Sequence, residues 1–461
     1  MSRQILVNAF AMNTPTHLVS GTWRDPDSQS WRYKDLAFWT DLVQHLERGL
    51  FDGLFIADVL GIYDVYGGGP EAALRGGVQV PVNDPLLLVS AMAHVTEHLG
   101  FGVTASTTFD HPYTLARRFS TLDHLTRGRI GWNVVTSYLN SGARNIGLDR
   151  QLGHDERYDV ADEYLEVAYK LWEGSWEDDA VVRDLDRHVF ADPAKIHPIG
   201  HEGKHFRVPG IHLAEPSPQR TPVLYQAGAS GRGRAFAGQH AEAVFLAVPT
   251  EAIGAARVAD IRARAVAAGR DARDVKVFSS YTVVVAETDA EAHRKHDLYR
   301  SYLEPEATLA LWSGWTGFDM ASYDPDEPLR LVPSDAVHST AELLGNGDWT
   351  VRDLVEQAAG LRPGGAFAVG SPATVADRIQ EWVEAIDADG LNLCNVITPG
   401  SYVDFVDLVV PELQRRGVYR TSYDEGTLRR KLFGRGDRLP DTHPAARHRA
   451  DVSRQSAVPA R

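Results

Sequence analysis

The sequence has a single cysteine in 461 residues, Cys394. No disulfide can form within the chain, so a disulfide-stapled fold is excluded. The cysteine sits in Leu391-Asn-Leu-Cys-Asn-Val-Ile397, which reads as a buried strand, and an inert core thiol is expected there. Long hydrophobic runs are lacking as well: none approaches the ~20 residues that would span a bilayer. The segment 1–10 carries one arginine and no long apolar stretch, and reads as a strand rather than a signal peptide. Positive charge is in deficit, with 47 Lys and Arg against 62 Asp and Glu, a net charge of −15. Phosphate backbones and anionic membranes repel such a chain, so neither nucleic acid nor membrane is an expected partner. A cytoplasmic location follows from the same features. The balance does not bar one phosphate-bearing ligand, which needs only local donors.

What is present is a steady alternation of short apolar runs with amphipathic segments. Strands are expected at 5–10, 53–57, 101–107, 129–136, 222–227, 243–248, 275–286 and 391–397. Helices are expected at 35–50, 84–100, 112–127, 155–173, 252–269, 290–303, 374–388 and 402–416. Eight strand–helix units favour a closed (β/α)8 TIM barrel over an open sheet. The expected organisation is one barrel domain over 1–416, interrupted by longer insertions at 11–34, 175–221 and 304–370. A C-terminal extension over 417–461, rich in arginine, is read either as an arm gripping a neighbouring subunit or as a loosely ordered terminus.

In such a barrel, polar residues at the carboxyl ends of strands face the ligand. Here they are Asn8, Asp58, Thr104, Ser106, Asn133, Ser137 and Gln226. The sharpest local signal is Gln226-Ala-Gly-Ala-Ser-Gly-Arg-Gly-Arg-Ala-Phe-Ala-Gly238, which follows a strand and opens a helix. Its glycines let backbone amides converge, the helix N-terminus adds positive potential, and Ser230 adds a hydroxyl. It reads as a phosphate cradle or as a plain tight turn. It is neither a Walker A loop nor a dinucleotide fingerprint, since the Gly231/Gly233 pair lacks the third glycine. His154 and Tyr158 share one face at the start of a helix, and so are either ligand donors or surface residues. His94 and His98 are i,i+4 on one helix, but Glu97 is misplaced for the His-Glu-x-x-His pattern, and His201 and His205 lie in a polar loop, so no metal is expected. Trp23, Trp31, Tyr63, Tyr66, Phe109, Tyr113, Tyr138, Trp312 and Trp315 could together form a dry aromatic lid.

Several long strings carry a resemblance. Trp132-Asn-Val-Val-Thr-Ser137, Ala143-Arg-Asn-Ile-Gly147, His154-Asp-Glu-Arg-Tyr-Asp-Val-Ala-Asp-Glu163 and Pro216-Ser-Pro-Gln-Arg-Thr-Pro222 are among them. They resemble the bacterial-luciferase-like monooxygenases, in the subgroup of nitrilotriacetate monooxygenase, dibenzothiophene sulfone monooxygenase and pristinamycin synthase. Asn8-Ala-Phe10, Phe55-Ile-Ala-Asp-Val59, Gly61-Ile-Tyr-Asp-Val-Tyr66 and Lys431-Leu-Phe-Gly434 are most similar to the long-chain alkane monooxygenases. The resemblance implies FMN, delivered reduced by a separate NAD(P)H:flavin reductase, with O2 as co-substrate. One oxygen atom would enter an apolar organic substrate such as a long-chain alkane. It also implies a homodimer or homotetramer. Asp58, Thr104 or Ser106, Asn133 and Ser137 would lie near the flavin ring, and His154, Tyr158, Gly228, Ala229 and Ser230 would hold the ribityl phosphate.

The substrate pocket departs from the alkane enzymes. Thr14 stands where they carry a pocket cysteine, and Tyr138 and Leu311 where they carry histidines. Tyr63 and Gln79 are expected to line the pocket with Leu311. His17 and His111, with Thr14 and Tyr138, are the catalytic candidates, imidazole being suited to proton transfer near working pH. Two other readings stay open: a deazaflavin-dependent dehydrogenase on the same barrel, and a flavin-binding protein without catalysis.

Overall fold

The structure is a computed structural model that describes residues 4–449, apart from 229, 331–335, 338–343, 345–348, 360 and 362–364. Nine parallel strands are numbered here in chain order: β1 (Leu6–Met12), β2 (Gly53–Ala57), β3 (Gly100–Ser106), β4 (Ile130–Val135), β5 (Val223–Gln226), β6 (Ala243–Leu246), β7 (Lys276–Val285), β8 (Ala366–Gly370) and β9 (Gly390–Cys394). Strands β1 to β6 pair in succession, β6 pairs β7, β7 pairs β9, and β9 returns to β1. This closes an eight-stranded barrel. The closing register runs from Leu6 opposite Gly390 to Phe10 opposite Cys394.

The eight ring strands are those expected from the sequence. Strand β8 is a ninth that falls within the 304–370 insertion. Along one edge of β7, Lys276–Ser279 pair with β6 and Tyr281–Val285 with β8. The long strand outruns its short neighbour, and β8 takes the exposed remainder. The same insertion also holds helices Pro305–Thr316 and Val351–Ala359. The 175–221 insertion carries two small antiparallel hairpins.

The helices follow their apolar spacing. Leu36–Arg48 buries Phe38, Trp39, Leu42, Val43 and Leu46, and the Asp35 side chain caps it by accepting from the Ala37 amide. The helix expected over 84–100 stops at His94. Beyond it the amides of Glu97, His98 and Leu99 all donate to the Glu47 carboxylate, which draws the chain out of helical geometry.

Aromatic side chains fill the barrel. Phe10, Phe55, Tyr225 and Phe245 pack with ring centroids 4.8–5.6 Å apart. Small residues opposite make the space: a β-carbon on Gly131 would stand 2.5 Å from the Tyr225 ring. Cys394 is buried on β9 beside the Ser280 hydroxyl, and burial pushes its thiol up to about 11, in keeping with an unreactive core group.

In the C-terminal segment Arg420, Arg429, Arg435, Arg438 and Arg449 pair with acids of the same chain. Helix Leu428–Phe433 inserts Leu428 and Leu432 into the N-terminal floor of the barrel beside Val223, Ala243 and Phe278. Arg429, fully buried, bonds Glu242 through Nε at 2.6 Å and Nη2 at 2.8 Å, and donates to the Thr221 carbonyl. Arg420 pairs with buried Asp52. Residues 417–449 thus pack on the same core. Among the described residues, no helix is long and apolar enough to cross a membrane.

Candidate active site

The carboxyl ends of β2, β4 and β5 converge on a cavity of about 200 Å³. Its wall includes Asp58 after β2, Ser137 and Tyr138 after β4, His154, Arg157 and Tyr158 from helix His154–Tyr169, and Gln226, Gly228 and Ser230 after β5. Residues far apart in sequence therefore meet where a barrel binds its ligand.

One end of the cavity is built for an anion. Ser230 begins helix Gly231–His240 and its Oγ accepts from the Gly233 amide at 3.0 Å, which leaves its proton for another acceptor. The Tyr158 hydroxyl stands beside Ser230 and Gln226. A β-carbon on Gly228 would lie 2.5 Å from that hydroxyl, so only glycine lets the backbone approach so closely. His154 packs against Tyr158 with ring centroids 5.3 Å apart, and its Nδ1 lies 2.7 Å from the Asp155 carboxylate. Arg157, buried, donates to the Leu152 carbonyl at 2.8 Å and brings a cation to the cavity wall. The sequence reading passed over Arg157. Ala229 lies outside the described residues.

The other end is polar and strained. Ser137 adopts left-handed backbone (φ 54°), and its hydroxyl lies 2.8 Å from that of Ser106. Asn133 donates to Thr104 through Nδ2 at 2.8 Å. The carbonyl oxygens of Asn133 and Gln226 are buried with no donor from the protein. A ligand heterocycle carrying N–H groups would satisfy them. Burial pushes the Asp58 carboxyl up to about 7, the nearby Asp84 and Asp110 adding to the shift and a hydrogen bond from the Val59 backbone opposing it.

A second group adjoins this cavity. The Tyr63 and Tyr138 hydroxyls are 2.6 Å apart, and Tyr63 donates to Gln79 Oε1 at 2.9 Å. Gln79 is itself in left-handed backbone (φ 48°). Leu311, on helix Pro305–Thr316, packs with Tyr63, Leu139, Ala307 and Ala310, and with Tyr138, Tyr66 and Trp315 around them. His17 lies edge-on to Phe10 at 4.4 Å, and burial drives its imidazole down to about 3. Thr14 is buried nearby in the chain, its hydroxyl without a protein partner.

Thr14, His17, Thr104, Ser106 and Asn133 do not line the cavity, and His111 lies elsewhere. His111 is exposed and does not line the cavity; its Nδ1 accepts from the Tyr113 amide and so caps helix Pro112–Leu125. Of the expected aromatic lid, Phe109 and Tyr138 line the cavity and Tyr63, Tyr66 and Trp315 back it, whereas Trp23 and Trp31 are exposed.

Comparison with known proteins decides the family. The model of the luciferase-like monooxygenase family matches residues 10–389. The chain belongs to the luciferase-like monooxygenases. It is an oxidoreductase of that family, and its relatives include whole-length matches. It is 54% identical to the dimethyl-sulfide monooxygenase of Hyphomicrobium sulfonivorans, covering 99% of this chain and 96% of the relative. It is 51% identical to the long-chain alkane monooxygenase of Geobacillus thermodenitrificans, over 97% of this chain and 99% of the other. A crystal structure of a long-chain alkane monooxygenase superposes with a TM-score of 0.92, covering 97% of this chain and all of that one. A riboflavin lyase crystallised with modified FMN and riboflavin gives 0.93 at 39% identity, over 97% and 100% of the two chains.

Proposed function

We propose that the luciferase-like monooxygenase described here is the oxygenase component of a two-component system. It takes reduced FMN from a separate NAD(P)H:flavin reductase and uses O2 to oxygenate an organic substrate with a largely apolar body, in the range from small sulfides to alkanes. The observation that carries the FMN assignment is the single cavity that unites the cradle of Gly228 and Ser230 with His154, Arg157 and Tyr158.

The residues fit FMN. Ser230, Tyr158, His154 and Arg157 would hold the phosphate, as charged and neutral donors around a helix N-terminus do. Asn133 and Gln226 offer buried acceptors to the ring, and Asp58, Ser137 and Ser106 lie at the same mouth. When bound, reduced FMN supplies the electrons that activate O2. The chain's own part is to position and to exclude water. Val59, Leu60, Phe109 and Leu139 give the cavity apolar walls, and helix Pro305–Thr316 with Trp315 covers the Tyr63–Tyr138 side. His17, held neutral by burial, carries no charge at working pH and is a weak base.

The likeness to dimethyl-sulfide and long-chain alkane monooxygenases supports the substrate range. The single cysteine supports a cytoplasmic setting, and homodimer or homotetramer is the assembly to test by light scattering. The decisive assay supplies reduced FMN, isotopically heavy O2, and in turn small sulfides and n-alkanes of graded length. Substrate-dependent product carrying one heavy oxygen atom is expected. Hydrogen peroxide alone, with every substrate, would overturn the reading.

A further inference from the structure

Arg232 occupies a position that a cation normally avoids. It is the second residue of helix Gly231–His240, in the first turn, where the helix dipole favours negative charge. It does not line the cavity. Its guanidinium turns to the neighbouring helix His154–Tyr169, where Nη2 lies 2.6 Å from an Asp162 oxygen and 3.2 Å from an Asp159 oxygen. Asp162 is anchored on its far side. Burial lowers the His240 imidazole, so the ring stays neutral, and a carboxylate only accepts. His240 therefore donates through Nε2 to the other Asp162 oxygen at 3.1 Å, and its Nδ1 accepts from the Tyr169 hydroxyl at 3.1 Å.

Held in this way, Arg232 lies over the face of Tyr158, its guanidinium carbon 5.4 Å from the ring centroid. Two further rings confine the same phenol: His154 at 5.3 Å and Phe236 at 5.5 Å between centroids. Together these contacts fix where the Tyr158 hydroxyl stands, beside Ser230 and the Gly228 backbone. Burial pushes the Tyr158 phenol up, and its bond with Ser230 and the Arg157 and Arg232 charges oppose that. A cation over the ring draws electron density from the oxygen and makes the O–H a stronger donor.

We infer that Arg232 is a positioning residue for the flavin phosphate, one that acts through Tyr158 and touches no ligand itself. It holds the phenol from outside the cavity and ties together the two helices whose first turns form the anion end. This rests on the reading that the cavity holds FMN. The two arginines near Tyr158 thus have different tasks: Arg157 brings charge to the cavity wall, and Arg232 sets the aim of a neutral donor.

The test is a double-variant cycle read by fluorescence titration with FMN and with riboflavin, which lacks the phosphate. Arg232→Gln should weaken FMN about five- to tenfold and riboflavin by less than about twofold. Tyr158→Phe should weaken FMN by at least as much. With both changes the loss should match that of Tyr158→Phe alone to within about twofold, because no hydroxyl is left to position. Arg232→Lys keeps a cation near the ring and should retain more affinity for FMN than Arg232→Gln. Asp162→Asn leaves Arg232 in place but weakens its anchor, and should lower FMN affinity about two- to fivefold, a second route should Arg232→Gln not fold. Circular dichroism checks folding throughout. FMN affinity unchanged in the Arg232 and Asp162 variants would overturn the inference. So would losses that add in full to that of Tyr158→Phe, or that fall equally on riboflavin. A wild type that binds no FMN would overturn the reading of the cavity, and the inference with it.

Discussion

The Tyr158 hydroxyl and the backbone of Gly228 are in such close approach that a β-carbon on Gly228 would lie 2.5 Å from the oxygen. The contact ties the first turn of one helix to the loop before another and sets the width of the anion end of the cavity. Gly228→Ala should force Tyr158 aside and weaken FMN binding at least about tenfold, while the barrel still folds, since the overlap is confined to the loop. Fluorescence titration with FMN, alongside circular dichroism, checks both halves of this expectation.

Arg157 supplies positive charge from a buried position, where Coulomb attraction is screened far less than at the surface. Arg157→Met should weaken FMN by about ten- to hundredfold yet leave riboflavin, which lacks the phosphate, nearly unaffected. The ratio of the two dissociation constants isolates the charge effect from any general damage. Equal losses for both flavins would show that Arg157 acts on the fold alone.

Asp58 and His17 pull stability in opposite directions with pH. Burial holds the Asp58 carboxyl protonated up to about 7, so its contribution is fully present below the unfolded value of about 4 and is lost as pH rises through about 7. Burial holds His17 neutral down to about 3, so its contribution is present above the unfolded value of about 6.5 and is lost as pH falls towards 3. Each shift bounds an effect of at most about 5 kcal/mol. Asp58→Asn should raise the melting temperature at about pH 8 and flatten the decline above about pH 4. His17→Gln should flatten the acid side instead. If turnover titrates near neutrality, Asp58→Asn should abolish that step and His17→Gln should not.

Arg429 and Glu242 form a buried ion pair under the barrel floor. Removing one partner leaves the other charge uncompensated, so Arg429→Met should cost about 3–5 kcal/mol. The double variant Arg429→Met with Glu242→Met should recover most of that loss, as buried pairs often exchange for apolar side chains at little net cost. Chemical denaturation of the wild type, both single variants and the double variant gives the coupling directly.

Much of the architecture is legible in the sequence because each ring strand is a short apolar run next to a helix with clear spacing. Strand β8 is not, since Ala366-Phe-Ala-Val-Gly370 is short, half of it is small residues, and it follows Pro363-Gly-Gly. It forms because β7 is longer than β6. The glycine-rich turn is visible as a cradle because its chemistry is local. Arg157 is hidden for the opposite reason. In sequence it is one charge among many, and only the rotation of its helix, set by burial of Ala161, Tyr164, Leu165 and Ala168, turns it inward. His111 misleads because a histidine at a strand end suggests proton chemistry, while the following Pro112 makes it a helix cap. The inward role of Arg420 and Arg429 is hidden because the acids they meet, Asp52 and Glu242, lie 368 and 187 residues upstream.

The pairing of Leu6–Phe10 with Gly390–Cys394 has a consequence for biosynthesis. Strand β1 waits for β9, the last of the ring strands to be made, before its second neighbour exists. Until then both rims of the growing sheet are open edges, of the kind that chaperones shield and that aggregate when left bare. Closure of the ring is therefore among the last steps of folding, and a chain cut short before residue 390 leaves the edge of β1 that faces β9 bare.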